Sequence, residues 1–190
     1  MRVLLISCAL LALAACHKVP QQSAGPVAPA AEAGPVKGVD RSHRGKPFPD
    51  VKFLQDDEDG TGEMGIHSLL GEPTLINFWA SWCAPCIKEL PTLKALDRSH
   101  KFAGPIIPLN QDSGTQDSVR AFMGKYGVEE LGNYQDPKMK VGEALGVEVL
   151  PTTILFDADG KEVWRYVGDL DWTSPEAAKL LAEAGAPRKG

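Results

Sequence analysis

The chain predicts an α/β domain: a mixed central sheet with helices on both faces, an N-terminal β-hairpin and an extra helix–strand insertion. Three observations carry this. Thr74–Trp79 (TLINFW), Pro105–Leu109 and Thr152–Phe156 are short apolar runs suited to strands buried on both faces. Segments with helical spacing lie between them, such as Gln116–Tyr126 with Val119, Phe122, Met123 and Tyr126 on one side. The last run meets Asp157-Ala158-Asp159-Gly160 and then Glu162–Val167, the pattern of a hairpin. A length of 190 residues, 43% of them hydrophobic, fits one domain with a real core. The net charge of −5, with no long basic run, argues against a nucleic-acid partner.

The elements follow in order. Arg2 and the apolar run Val3–Ala15 have the flanks and length of an export signal, too short for a span of about 20 residues. Leu13-Ala14-Ala15-Cys16 looks like a bacterial lipobox, so residues 1–15 are expected to be removed and Cys16 to carry lipid, a stable anchor when several acyl chains are attached. Residues 16–46 are rich in Pro, Ala and Gly and read as a flexible tether, reaching roughly 30 Å as a coil and roughly 90 Å extended. The folded domain is expected over 47–187. Phe48–Leu54 and Met64–Ile66 suggest a hairpin around the acidic cluster 55–60. That cluster is a solvated turn, because an EF-hand register would put Ile66 where a bidentate Glu is required. The strand Thr74–Trp79 leads to a helix from about Cys83 to Ser99, with Pro91 as a kink. After Pro105–Leu109 come the helix 116–126, a short strand near 131–134 and a helix 138–145. The closing helix, Ser174–Ala184, opens on Ser174-Pro175-Glu176, a capping residue followed by Pro at the first helical position.

The chemistry concentrates in WASWCAPC, residues 79–86. Cys8 leaves with the signal and Cys16 is used by the lipid, so Cys83 and Cys86 are the thiols that remain, in an envelope space where disulfides form. A strand–motif–helix setting puts Cys83 at a helix N-terminus, where free N–H groups and the positive dipole end favour a thiolate. Cys86, one turn further, is shielded but able to attack Cys83 and resolve a mixed disulfide. A structural zinc site lacks a second Cys/His pair, and a bridge closing so short a loop is a poor staple. Dithiol redox chemistry remains, with no cofactor or metal.

WASWCAPCIKELPTL, followed by Leu150-Pro151-Thr152-Thr153, resembles the TlpA/ResA-type branch of thioredoxin-like proteins over about Phe48–Asp171. The resemblance implies an envelope-facing thiol–disulfide oxidoreductase, with clients such as cytochrome c maturation or metal-assembly factors. It also implies a membrane thiol relay as electron donor and a cis-proline loop at Leu150-Pro151 that pairs with substrate backbone. Gly168 fits the small residue that leaves room for a substrate chain, and Trp82 borders the substrate. Thioredoxin's buried Asp is replaced here by Asn77, which cannot relay protons; the branch instead carries Glu89. A spacing of three from Cys86 puts Glu89 on the same helix face, where a carboxylate can accept the resolving thiol's proton; the alternative is a surface Glu beside Lys88 or Lys94. Trp164 and Trp172 read as packing residues. The Ala-Pro dipeptide lacks the histidine of strongly oxidising motifs, favouring a reductant over an oxidant or isomerase. A thiol peroxidase needs Thr and Pro where Ala80 and Ile76 stand, and a copper-delivery module needs a wider cysteine gap and a partner histidine.

Overall fold

Backbone pairing through eight strands sets the architecture of the computed structural model, which describes residues 36–57 and 60–185. The expected signal segment, Cys16 and tether residues 16–35 lie outside the described residues. The strands are β1 (Gly38–Asp40), β2 (Lys52–Asp57), β3 (Gly60–Gly65), β4 (Thr74–Trp79), β5 (Ile106–Asn110), β6 (Tyr134–Gln135), β7 (Thr152–Phe156) and β8 (Glu162–Val167). The helices are α1 (Ala84–Ser99), α2 (Gln116–Lys125), α3 (Lys140–Ala144) and α4 (Pro175–Leu181). Their spatial order is β1-β8-β7-β4-β5-β6-β2-β3, with β4–β5 and β5–β6 parallel and the other pairs antiparallel.

The period-2 alternation of β4 distributes the core. Leu75 and Trp79 point into one apolar cluster with Leu90 and Leu93 of α1, Trp164 and Trp172. Ile76 and Phe78 point into the other, with Phe48, Phe53, Val141 and Phe156. Asn77 shares the face of Leu75 and Trp79, so it looks toward α1. This single parity matters for the site.

Helix α1 runs unbroken through Pro91, burying Cys86, Glu89, Leu90, Leu93 and Leu96 along one stripe. Thr115 and Ser174 accept the N–H of Ser118 and Ala177 as side-chain caps of α2 and α4. Buried Asp136 accepts the N–H groups of Lys140, Val141 and Gly142, giving the short α3 an anionic N-terminus.

Two expectations need correcting. The acidic cluster is not a turn throughout: β2 runs through Gln55–Asp57, and Asp56 accepts from Arg120 at 2.7 and 2.9 Å and from Asn133 at 3.2 Å. The flexible tether does not extend to residue 46. β1 pairs antiparallel with β8, Arg41 and Arg44 pair with Glu183, and Pro47 bridges Lys161. Main-chain hydrogen bonds need no apolar side chains, so a composition poor in them does not forbid a strand. Among the described residues no helix is long and apolar enough to cross a membrane.

Candidate active site

β4 delivers the chain to Cys83 through a tightly held loop. Gln111 N–H donates to Trp79 O at 2.8 Å, Ser81 N–H to Asp112 Oδ2 at 3.1 Å, and Cys83 N–H to Ala80 O at 3.1 Å. Cys83 is the N-cap of α1, and its Sγ accepts from Cys86 N–H at 3.3 Å. Pro85 lies in the first turn, where its missing N–H goes unused. Cys83 and Cys86 are joined in a disulfide, their Cα atoms 5.3 Å apart. In this oxidised form both are buried, Cys83 at 5% and Cys86 at 1% exposure, so the greater accessibility of Cys83 is small in extent. On reduction, the helix end that Cys83 caps favours its thiolate.

Register brings three loops to one end of the sheet. β7 starts where β4 ends, with Thr152 opposite Phe78, and β8 ends opposite the start of β7, with Val167 opposite Thr152. Pro151, preceding β7 after a cis peptide bond from Leu150, and Gly168, following β8, therefore lie at the cysteine end. Gly168 N–H donates to Pro151 O at 2.8 Å. Gly168 has φ +93°, and a Cβ there would come within 2.9 Å of Lys37 Cγ. The room expected for a substrate chain is thus taken by the Lys37 stem, whose Nζ donates to Asp169 at 2.6 Å. The cause is β1: pairing Gly38 with Val167 sets Lys37 beside Gly168.

Trp82 stands 73% exposed beside the disulfide loop. It borders a recess of about 490 Å³ also lined by Asp112, Phe122 and Met139, the last two in or after the insertion. Met139 is itself an exposed apolar side chain.

Glu89 is not a surface residue: it is 2% exposed. Its Oε1 accepts from Trp172 Nε1–H at 2.6 Å and Leu170 N–H at 3.2 Å, and its Oε2 from Asn77 Nδ2–H at 3.2 Å. Burial disfavours the charged form while these three donors favour it. Burial wins, and the carboxyl is pushed up to about 7. Lys94, once a candidate neighbour, instead reaches Gly127 O and Glu130. Trp172 stacks on Trp164 as expected of packing, with centroids 6.4 Å apart, but it also holds Glu89, a role sequence reasoning missed. Thr153, opposite Asn77 in the β4–β7 register, accepts from Asn77 Nδ2 at 2.8 Å.

A family profile described as Redoxin matches residues 43–181, most of the chain. The chain belongs to the Redoxin family. Its fold is thioredoxin-like: it superposes on StoA from Bacillus subtilis with a TM-score of 0.56 and 23% identity, covering 73% of this chain and all of that one. The thiol-disulfide oxidoreductase ResA of Bacillus thuringiensis (strain Al Hakam) is 35% identical over 118 residues, 62% of this chain and 66% of that protein. A thiol:disulfide interchange protein DsbE homolog of Paracoccus denitrificans is 34% identical over 114 residues, 57% of this chain and 61% of that protein. The matched stretch thus spans just under two thirds of these relatives. Within the Redoxin family the peroxidase hallmark positions still hold Ile76 and Ala80 here.

Proposed function

We propose that the protein is a thiol–disulfide oxidoreductase that reduces disulfides in client proteins of the bacterial envelope, held to a membrane by lipid on Cys16. The observation that carries the reading is Cys83 as N-cap of α1, bonded to Cys86, with buried Glu89 three residues on. The ResA and DsbE names of its relatives support the same chemistry.

In the reduced enzyme the Cys83 thiolate attacks one sulfur of a client disulfide. A mixed disulfide forms and the other client sulfur leaves as a thiolate. Glu89, near 7, is matched to take the Cys86 proton at neutral pH. Cys86 then attacks Cys83 Sγ, closing the Cys83–Cys86 disulfide and releasing the second client thiolate. Two electrons have passed to the client. A membrane thiol relay restores the dithiol. Trp82, Leu150, Pro151 and Gly168 frame the client, with the Lys37 stem moving aside from Gly168.

The test mixes reduced full chain with a protein carrying one disulfide. Client thiols and the Cys83–Cys86 disulfide should appear together, and Cys83→Ser should abolish both. Failure to transfer electrons, or efficient oxidation of a reduced client by the disulfide form instead, overturns the reductant assignment. Mass spectrometry of the mature N-terminus should show acylated Cys16; an unmodified chain beginning elsewhere removes the anchor.

A further inference from the structure

The hydrogen bonds around Glu89 are unbalanced. Trp172 Nε1, Leu170 N and Asn77 Nδ2 are all donors. They suit a carboxylate, but a carboxylic acid must itself donate its O–H, and this ring offers no acceptor. The Asn77 amide also carries an acceptor without a partner: its Oδ1 is buried and makes no hydrogen bond among the described residues. Asn77 Nδ2 makes both of that side chain's contacts, to Glu89 Oε2 and to Thr153 Oγ1. The Thr153 hydroxyl accepts there and is equally able to donate.

We propose that Asn77 is a positioning residue whose side-chain amide turns over with the proton on Glu89. With Glu89 ionised, Nδ2–H donates to Oε2 and to Thr153 Oγ1, as observed. When Glu89 takes the Cys86 proton, a half-turn of the amide brings Oδ1 to the same place. Glu89 Oε2–H then donates to Oδ1, and the Thr153 hydroxyl reverses to donate to it as well. No electrons move in this step: an S–H bond breaks, an O–H bond forms, and Asn77 never holds the proton. The switch draws its catalytic meaning from the reading of Glu89 as acceptor for Cys86, but its existence is separate.

The groups that face Glu89 leave it alone to titrate. Asp169, Lys37 and Tyr166 interact with it from β8, the loop that follows and the segment preceding β1. The Lys37–Asp169 hydrogen bond holds Lys37 above and Asp169 below their ordinary values, so both stay charged, while burial keeps Tyr166 neutral. Cys86, on Glu89's own helix, is fixed in the disulfide of the oxidised form.

The experiment is a pH titration of the oxidised, isotope-labelled full chain by NMR. Glu89's carboxyl carbon gives its midpoint, and magnetisation transfer between the Asn77 amide protons and the Thr153 methyl reports the amide's orientation. Those contacts should be present above the Glu89 midpoint and lost below it, and in Glu89→Gln they should not change with pH. Contacts that stay the same across the midpoint overturn the switch. Asn77→Leu should slow exchange about tenfold near neutral pH, as expected for losing a hydrogen bond to a charged group, and move the pH–rate profile; an unmoved profile also counts against the switch. If the amide turns while Glu89→Gln leaves the pH–rate profile unchanged, the switch stands and the acceptor role of Glu89 falls.

Discussion

Glu89 should make folding stability fall with rising pH, and replacing it should remove that slope. The carboxyl is ordinarily near 4.5 and stands near 7 in the folded chain because burial outweighs its three donors. The folded state therefore holds a proton that the unfolded state has released between those values. The favourable contribution is complete below about 4.5, declines as pH rises and is exhausted once pH passes about 7. At about 1.4 kcal/mol per pH unit, the difference amounts to roughly 3 kcal/mol. Glu89→Gln keeps the shape and stays neutral throughout, and its amide can meet Asn77 in either orientation. Urea unfolding of the oxidised chain, wild type and variant, across pH 4 to 9 measures the difference directly, using about the pH range that brackets both values. The variant should gain on the wild type by about 3 kcal/mol between the acid and alkaline ends, with the change centred between 4.5 and 7. A stability difference independent of pH refutes the claim that burial controls this carboxyl.

Further outcomes follow from the same geometry. Glu89→Gln should slow disulfide exchange about 100-fold and flatten its pH–rate profile near neutrality, checked by stopped-flow kinetics with a client disulfide. Cys86→Ser should accumulate mixed disulfides with clients through Cys83, and Cys83→Ser far fewer, on non-reducing gels with mass spectrometry of the trapped bands; equal trapping refutes the assignment of roles. Arg165, buried and paired to Glu162 at 2.7 Å, also donates to Leu145 O at 2.9 Å. Arg165→Ala strands a buried carboxylate and should cost about 3–5 kcal/mol by denaturant unfolding, whereas Arg165→Met with Glu162→Leu should recover most of it.

Two strands that carry the core were legible because burial on both faces writes itself as short apolar runs: Thr74–Trp79 and Thr152–Phe156 appear with the expected bounds, as does Glu162–Val167, which the hairpin turn before it announced. Helix α1 was legible for a different reason, its cap and first-turn proline being local chemistry. β1 was not. Gly38-Val39-Asp40 buries little and joins the sheet by main-chain bonds to β8, more than 120 residues away along the chain. Its side chains carry no trace of that pairing. The same strand explains Gly168, where sequence foresaw open space and the Lys37 stem fills it.

The site divides along the same line. Cys83, Cys86 and Glu89 lie within seven residues, and helix spacing alone puts Glu89 on the face of Cys86, the stripe that the structure buries. What spacing does not decide is the state of that carboxyl. Trp172 approaches from 83 residues away and the Leu170 N–H from 81, both in the loop after β8, and neither has a motif to announce it. Asn77 was visible as a residue unable to relay protons, a judgement about its own acidity. In the structure its amide donates to Glu89 Oε2 while its Oδ1 has no partner among the described residues, so the proposed half-turn would offer that carboxyl oxygen an acceptor instead. An aspartate at this position would put a second negative charge beside a carboxyl already disfavoured by burial and by Asp169. A neutral amide can satisfy Glu89 both with and without its proton. An amide on β4 in place of a proton carrier is therefore compatible with the proposed role of Glu89, on α1, as proton acceptor for Cys86.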